Sequence, residues 1–246
     1  MPGRLDDLMA VKVVSIVPGN PAGLVVVFTE DGSPLGVADG PTITAIRTGA
    51  AAGLATRLLA RADCRTLAML GSGAMAFDQI EAVRAVRRID DVLIWSRSLD
   101  NAEILAERVG GEAVADADDA VRRADIVSCA TPARTPLFSA EPVRPGTHIN
   151  AVGAFTPEMV EVGPDVLARA FVVVDDIDAA AAEAGDLIGA GRDPDTTLRD
   201  ILAGSHRQIG NDLTVFKSVG IAAQDVAAAG RALANAERDG IGLSVT

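Results

Sequence analysis

The sequence predicts an α/β protein built on a parallel sheet, and three observations carry that expectation. Short apolar runs alternate with Ala- and Leu-containing helical stretches from residue 66 to residue 174, the pattern of parallel strands joined by helical crossovers. One of those runs, residues 66–70, leads into Gly71-Ser72-Gly73-Ala74-Met75-Ala76, a glycine turn that opens a helix. Residues 11–37 instead hold β-branched runs separated by turns, so a smaller α+β part precedes the alternating one.

In chain order, residues 11–17 (VKVVSIV) and 24–28 (LVVVF) read as strands, and residues 35–37 continue as a return strand after the turn Asp31-Gly32-Ser33. Residues 42–61 read as a helix capped by Thr42 or Thr44. Strands are expected at 66–70, 92–95, 126–130, 148–152 and 171–174, with helices at 74–87, 101–109 and 117–123. Residues 179–211 are acidic and mixed and are expected to place helices on the sheet face, and residues 226–238 form an Ala-rich helix.

The bulk composition excludes several classes of partner. Of 246 residues, 22 are Lys or Arg and 34 are Asp or Glu, giving a net charge of −12. With no basic block, neither nucleic acid nor an anionic membrane is an expected partner. Cys64, Cys129, His148 and His206 are isolated and lack metal-ligand spacing, so no metal is expected. Both cysteines read as structural. Asp175, Asp176 and Asp178 follow a strand and are expected to cap the next helix rather than bind a metal. No apolar run reaches membrane-spanning length and the first residues carry no signal-peptide pattern, so a cytoplasmic location is expected.

The glycine turn carries the chemistry. Gly71 permits the tight turn, Gly73 lets a pyrophosphate approach the backbone, and Ala76 lets helix and strand pack closely. Ser72, Ala74 and Met75 complete a helix N-terminus whose free N–H groups suit phosphate. This is a Rossmann dinucleotide-binding arrangement. The next strand ends at Ser96-Arg97-Ser98, with no acidic residue for ribose hydroxyls. That tip favours the 2′-phosphate of NADP(H), with NAD(H) as the alternative. Thr131 and Pro132 after residues 126–130, and Val152 and Gly153 after 148–151, fall on the carboxyl edge where ligands of open sheets sit. There Thr131 offers a hydroxyl, and Val152 and Gly153 offer apolar contact and exposed backbone.

With these residues placed, the chain resembles the ornithine cyclodeaminase/mu-crystallin family. The matching segments are Lys12-Val13-Val14-Ser15, Arg47-Thr48-Gly49-Ala50-Ala51, the GSGAMA turn, ATPA at 130–133, Val152 to Met159 with Glu161, and Thr214 to Gly220 with Asp225. The resemblance implies a Rossmann domain, residues 61–216, inserted in a smaller, abbreviated substrate and dimerisation domain, residues 1–60 and 217–246. It implies that Lys12 and Arg47 are the catalytic cations, holding an α-carboxylate across from the nicotinamide. The resemblance implies that Ser218, Val219 and Gly220 approach the nicotinamide and substrate; Thr48 is expected at the cofactor, Glu161 and Asp225 are expected to be structural, and Lys217 is expected to face solvent or pair locally. Cyclodeaminases of the family carry an acid–base Asp after the Val-Gly pair and a Lys four residues later. Phe155 and Met159 stand there, and neither carries a proton at working pH. The stretch is similar to the ketimine-reductase branch. The resemblance also implies N-terminal elements before Lys12, among them an Arg that helps hold the substrate carboxylate, and since the given sequence starts shortly before Lys12 a shortened N-terminus is expected. The expected activity is NADPH-dependent reduction of a cyclic imino acid such as pyrroline- or piperideine-2-carboxylate, by a homodimer. The alternatives are an ornithine cyclodeaminase or alanine dehydrogenase, and an inactive NADP-binding paralogue.

Overall fold

A computed structural model describes residues 2–15, 22–204 and 210–243. Residues 16 and 17 of the expected first strand, and His206, lie outside the described residues. The chain divides into two compact units, Met1–Arg47 with Ile221–Thr246, and Thr48–Gly220.

The first unit is a four-stranded antiparallel sheet in the order β1-β2-β3-β4 (Pro2–Leu5, Leu8–Ser15, Ala22–Thr29 and Pro34–Asp39). The sequence reading did not include β1, which has no β-branched residue. It pairs with β2 through a two-residue turn in which Asp6 takes φ +50°, a conformation Asp tolerates. The β3–β4 turn is the expected one, with Asp31 accepting from Thr29 Oγ1 and from the Ser33 N–H. Helix α1 (Gly40–Leu59) starts two residues before the expected position. Its cap is neither Thr42 nor Thr44. Asp39 accepts from the Thr42 N–H at 2.9 Å and from its hydroxyl at 2.6 Å, while Thr44 bonds back to the Gly40 carbonyl. Those two bonds hold the Asp39 carboxyl below its ordinary range. The C-terminal helix (Ala222–Asp239) lies on one sheet face, where Val226 and Ala229 join Ala10, Val25, Val27 and Ile43 in a small core.

The second unit is an eight-stranded, wholly parallel sheet. Its strands are β5 (Thr66–Leu70), β6 (Asp91–Trp95), β7 (Glu112–Ala113), β8 (Ile126–Cys129), β9 (His148–Ala151), β10 (Phe171–Val174), β11 (Thr196–Thr197) and β12 (Thr214–Lys217). Their spatial order is β11-β10-β12-β9-β8-β5-β6-β7. The chain winds from β5 outward to β7, then returns to β8 on the other side of β5. The crevice at that reversal is where ligands of doubly wound sheets bind. Helices α2 (Ala76–Val86), α3 (Leu99–Val109), α4 (Ala117–Arg123), α5 (Pro164–Leu167), α6 (Ile177–Glu183), α7 (Gly185–Ala190) and α8 (Leu198–Leu202) cover the sheet, and the C-terminal helix of the first unit is α9. Alternate strand residues enter opposite cores. Leu67 and Met69 pack with α2 and α3, whereas Ala68 and Leu70 pack with α4. Covered on both faces, the central strands β5, β6, β8 and β10 are mostly apolar.

A buried polar chain crosses this sheet. His148 bonds Thr214 Oγ1 at 2.8 Å and Asn150 Oδ1 at 3.1 Å, and Asn150 donates to Thr56 Oγ1 and Ser128 Oγ. Burial pushes the His148 imidazole down to about 3, so it is neutral under ordinary conditions.

Candidate functional site

In the second unit the expected phosphate-binding turn lies between β5 and α2. Gly71 takes φ +117°, and a Cβ there would stand 2.7 Å from the Ala130 carbonyl oxygen. A Cβ on Gly73 would meet nothing within 4 Å. Gly71 is therefore glycine for the sake of the fold. Gly73 leaves open space at the mouth of a helix whose first residues have no side-chain cap, Met75 being the N-cap residue. Ala76 is fully buried beneath it. These are the features a pyrophosphate needs.

The turn borders a cavity of about 700 Å³, together with Ser72, Ser96, Arg97 and the loop 130–137 after β8. Thr131 and Pro132 line it as expected. Trp95, Asn101 and Arg134 also line it, and the sequence reading had not named them. The charged residues of this lining are Arg97 and Arg134, and no carboxylate is among them. In a chain of net charge −12, that local sign selects an anion. Ser72 and Ser96 share a hydrogen bond of 2.8 Å across the cavity wall. Ser98 is engaged differently: its hydroxyl caps α3 by accepting from the Asn101 N–H. Ala74 is exposed, and Thr48 and Val152 are buried.

The carboxyl edge beyond β8 holds a correction. The backbone of Gly153 is not exposed. Its N–H donates to Glu161 Oε2 at 2.8 Å, with the Ala154 N–H at 3.1 Å on the same oxygen. Glu161 Oε1 accepts the Thr131 N–H at 2.6 Å and its hydroxyl at 3.0 Å. Burial raises the Glu161 carboxyl above its ordinary value, against the opposing pull of Lys217 and the donated amides. Lys217 is a second correction. It neither faces solvent nor pairs locally. It is fully buried on β12, 2.7 Å from Asp186 Oδ2, and donates to the Ala154 carbonyl. Asp186 Oδ1 in turn accepts the N–H groups of Glu161 and Val162. No local pattern announces Asp186, which lies 25 residues from Glu161. At the end of β10, Asp175 accepts from Ser218 Oγ at 2.6 Å and from the Gly220 N–H at 2.8 Å, while Val219 is half-buried. Asp176 caps α6, and among the described residues no group of three potential ligands could hold a metal. Burial drives the Cys129 thiol well up, which makes it a core atom and not a nucleophile.

In the first unit, β2 is inverted relative to an ordinary surface strand. Val11 and Val13 are exposed while Lys12 is buried. Lys12 Nζ lies 2.7 Å from Asp225 Oδ2 and Arg47 Nε lies 3.2 Å from Asp225 Oδ1. Gln224 accepts from Arg47 Nη1. The two expected catalytic cations therefore converge on one carboxylate from the first turns of α9. An ammonium and a guanidinium are thereby set side by side and oriented by the same carboxylate.

Doubly wound sheet, glycine turn and cationic cavity together define a dinucleotide-binding α/β protein. The chain belongs to the ornithine cyclodeaminase/mu-crystallin family, whose model matches residues 1–239. It is 37% identical to a Δ1-pyrroline-2-carboxylate reductase of Bacillus cereus over 98% of this chain and 82% of that protein. The structure of Thermococcus litoralis Δ1-pyrroline-2-carboxylate reductase in complex with NADH and L-proline superimposes with a TM-score of 0.90 at 33% identity, covering 96% of this chain and 80% of that one. An archaeal alanine dehydrogenase dimer with bound NAD superimposes with a TM-score of 0.92 at 32% identity, covering 100% and 83%.

Proposed function

We propose that this protein reduces a cyclic imino acid, such as Δ1-pyrroline-2-carboxylate, to the cyclic amino acid with a nicotinamide dinucleotide. The observation that carries the reading is the buried pair Lys12 and Arg47 sharing the single carboxylate of Asp225. A substrate α-carboxylate is the kind of anion that an ammonium and a guanidinium set side by side hold. Reductases of this substrate class stand among the relatives at 37% and 33% identity.

A bound nicotinamide supplies the hydride, and the chain's own residues position the reactants and handle the proton. Arg47 holds the carboxylate and Asp225 fixes the direction of both cations. Lys12 gives a proton to the ring nitrogen as the C=N carbon is reduced. Gly73 and the start of α2 hold the pyrophosphate. Arg97 beside Ser96, with Arg134 in the same lining, favours NADP(H), because a 2′-phosphate is held by guanidinium groups and no carboxylate repels it. Phe155 and Met159 offer no acid–base group, which speaks against cyclodeamination. We also propose a homodimer through the face of the four-stranded sheet that carries Val11, Val13, Leu24 and Val37, all exposed. An apolar sheet face of this kind marks an interaction surface.

The test is NADPH and NADH consumption with pyrroline-2-carboxylate and piperideine-2-carboxylate, beside alanine-dependent NAD⁺ reduction. The expected result is imine-dependent oxidation, faster with NADPH. Lys12→Ala and Arg47→Ala should each lower kcat/KM by about a hundredfold or more, the scale of a truncated buried charge contact. Alanine-dependent NAD⁺ reduction without imine turnover would replace this reading with the dehydrogenase one.

A further inference from the structure

Glu161 is unusual in what it holds. The four hydrogen bonds of its carboxylate run to two loops, Thr131 after β8 and Gly153–Ala154 after β9. Both loops leave the carboxyl edge of the sheet, and Thr131 lines the cationic cavity. The carboxylate is itself seated from behind. Its own N–H is bound by Asp186, Asp186 is paired with Lys217, and Lys217 reaches back to the Ala154 carbonyl. The ring thus closes on the loop where it began, and Glu161, Asp186 and Lys217 are all fully or almost fully buried. A bound phosphate is held by backbone amides, yet these amides already carry an internal anion. Their job is to fix the loops and not to bind ligand. The fit is close, since a Cβ on Gly153 would fall 2.1 Å from the Thr131 nitrogen and 2.6 Å from Glu161 Oε1.

We propose that Glu161 is a positioning residue for the dinucleotide: by clamping the loops at Thr131 and Gly153 to each other, it sets the wall against which the half of the cofactor beyond the pyrophosphate rests. This rests on the reading that the cavity takes a nicotinamide dinucleotide. A clamp of two loops needs a group that accepts on both oxygens. Glutamine accepts on one and presents N–H groups at the other, so one loop loses its partner.

The experiment compares wild type, Glu161→Gln and Glu161→Asp by calorimetric titration with NADPH, NADH and ADP, alongside urea unfolding. ADP carries the adenosine and pyrophosphate and lacks the distal half. In Glu161→Gln, Kd for the preferred dinucleotide should rise about 10- to 100-fold, the scale of lost hydrogen bonds to a charged acceptor, while Kd for ADP stays within about threefold. Glu161→Asp keeps the charge and should fall between them. If Glu161→Gln does not fold, Glu161→Asp carries the same comparison of dinucleotide with ADP. Equal losses of dinucleotide and ADP binding, or unchanged dinucleotide binding in a folded variant, would overturn the proposal. A wild-type protein that binds neither dinucleotide would overturn the cofactor reading itself.

Discussion

The two units each bury a three-membered ion cluster, and the clusters differ in sign and in closure. Lys12, Arg47 and Asp225 have one cation in excess and retain a few per cent of side-chain exposure, 9% for Arg47. Lys217, Asp186 and Glu161 have one anion in excess, with the Lys217 and Asp186 side chains at 0%. In the second cluster the extra negative charge is absorbed by five backbone N–H groups and the Thr131 hydroxyl. In the first, Asp225 is shared between two cations. The comparison teaches that a buried ion cluster is not by itself a site. What surrounds the carboxylate, two cations for Asp225 and five backbone N–H groups with one hydroxyl for Glu161 and Asp186, distinguishes the two clusters.

The largest expected effect tests that distinction. Lys217→Met leaves Asp186 without a cation beside the Glu161 carboxylate, and should cost about 3–5 kcal/mol in urea unfolding at neutral pH. Lys12→Met leaves Asp225 with Arg47, and should cost no more than about 1–2 kcal/mol while turnover is lost. Equal stability losses in the two variants would break the comparison.

A second expectation concerns His148, a buried polar group outside both clusters. Its folded value of about 3 lies below the ordinary 6.5, so the unfolded chain takes up a proton that the folded one refuses. Stability is therefore full above about pH 6.5 and falls as pH is lowered toward 3, by about 1.4 kcal/mol per pH unit. Urea unfolding of wild type and His148→Gln at pH 7, 5.5 and 4.5 should show a shallower slope in the variant. Parallel slopes would mean that another group governs the acid limb.

The smallest effect sharpens the cofactor preference. Arg97→Ala should weaken NADPH binding about tenfold, roughly 1.4 kcal/mol, and NADH binding by less than half that energy. A uniform loss across both would assign Arg97 to the shared part of the dinucleotide.

Much of this was legible in the residues. The glycine turn, its flanking strand and helix, and the acid-free tip at Ser96–Arg97 are local patterns, and the parallel sheet follows from alternation. Lys217 was not legible, because a lysine that closes a short strand ordinarily reaches solvent, yet β12 is covered on both faces and all four of its residues are buried. The clamp at Glu161 was hidden for a different reason. Its partners lie 7, 8 and 30 residues away in sequence, and only the return of the chain along the sheet edge brings them together. Lys12 shows the limit of local pattern from the other side. Val-Lys-Val predicts valines inward, and the structure places the lysine on the face covered by α9, with the valines on the open one.

The position of β12 bears on how the molecule is made. β12 comes last in sequence among the parallel strands, yet it lies between β9 and β10. A growing chain that has reached residue 213 has already made β9 and β10, but they cannot pair with each other in the final order, and each keeps a bare edge turned toward the gap. Such edges are sites of mispairing. The small core of the first unit likewise lacks Val226 and Ala229 until α9 emerges. Residues 214–239 are therefore a keystone for each unit, and a ribosome that stalls just short of them leaves a polypeptide suited to chaperones and proteases rather than to catalysis.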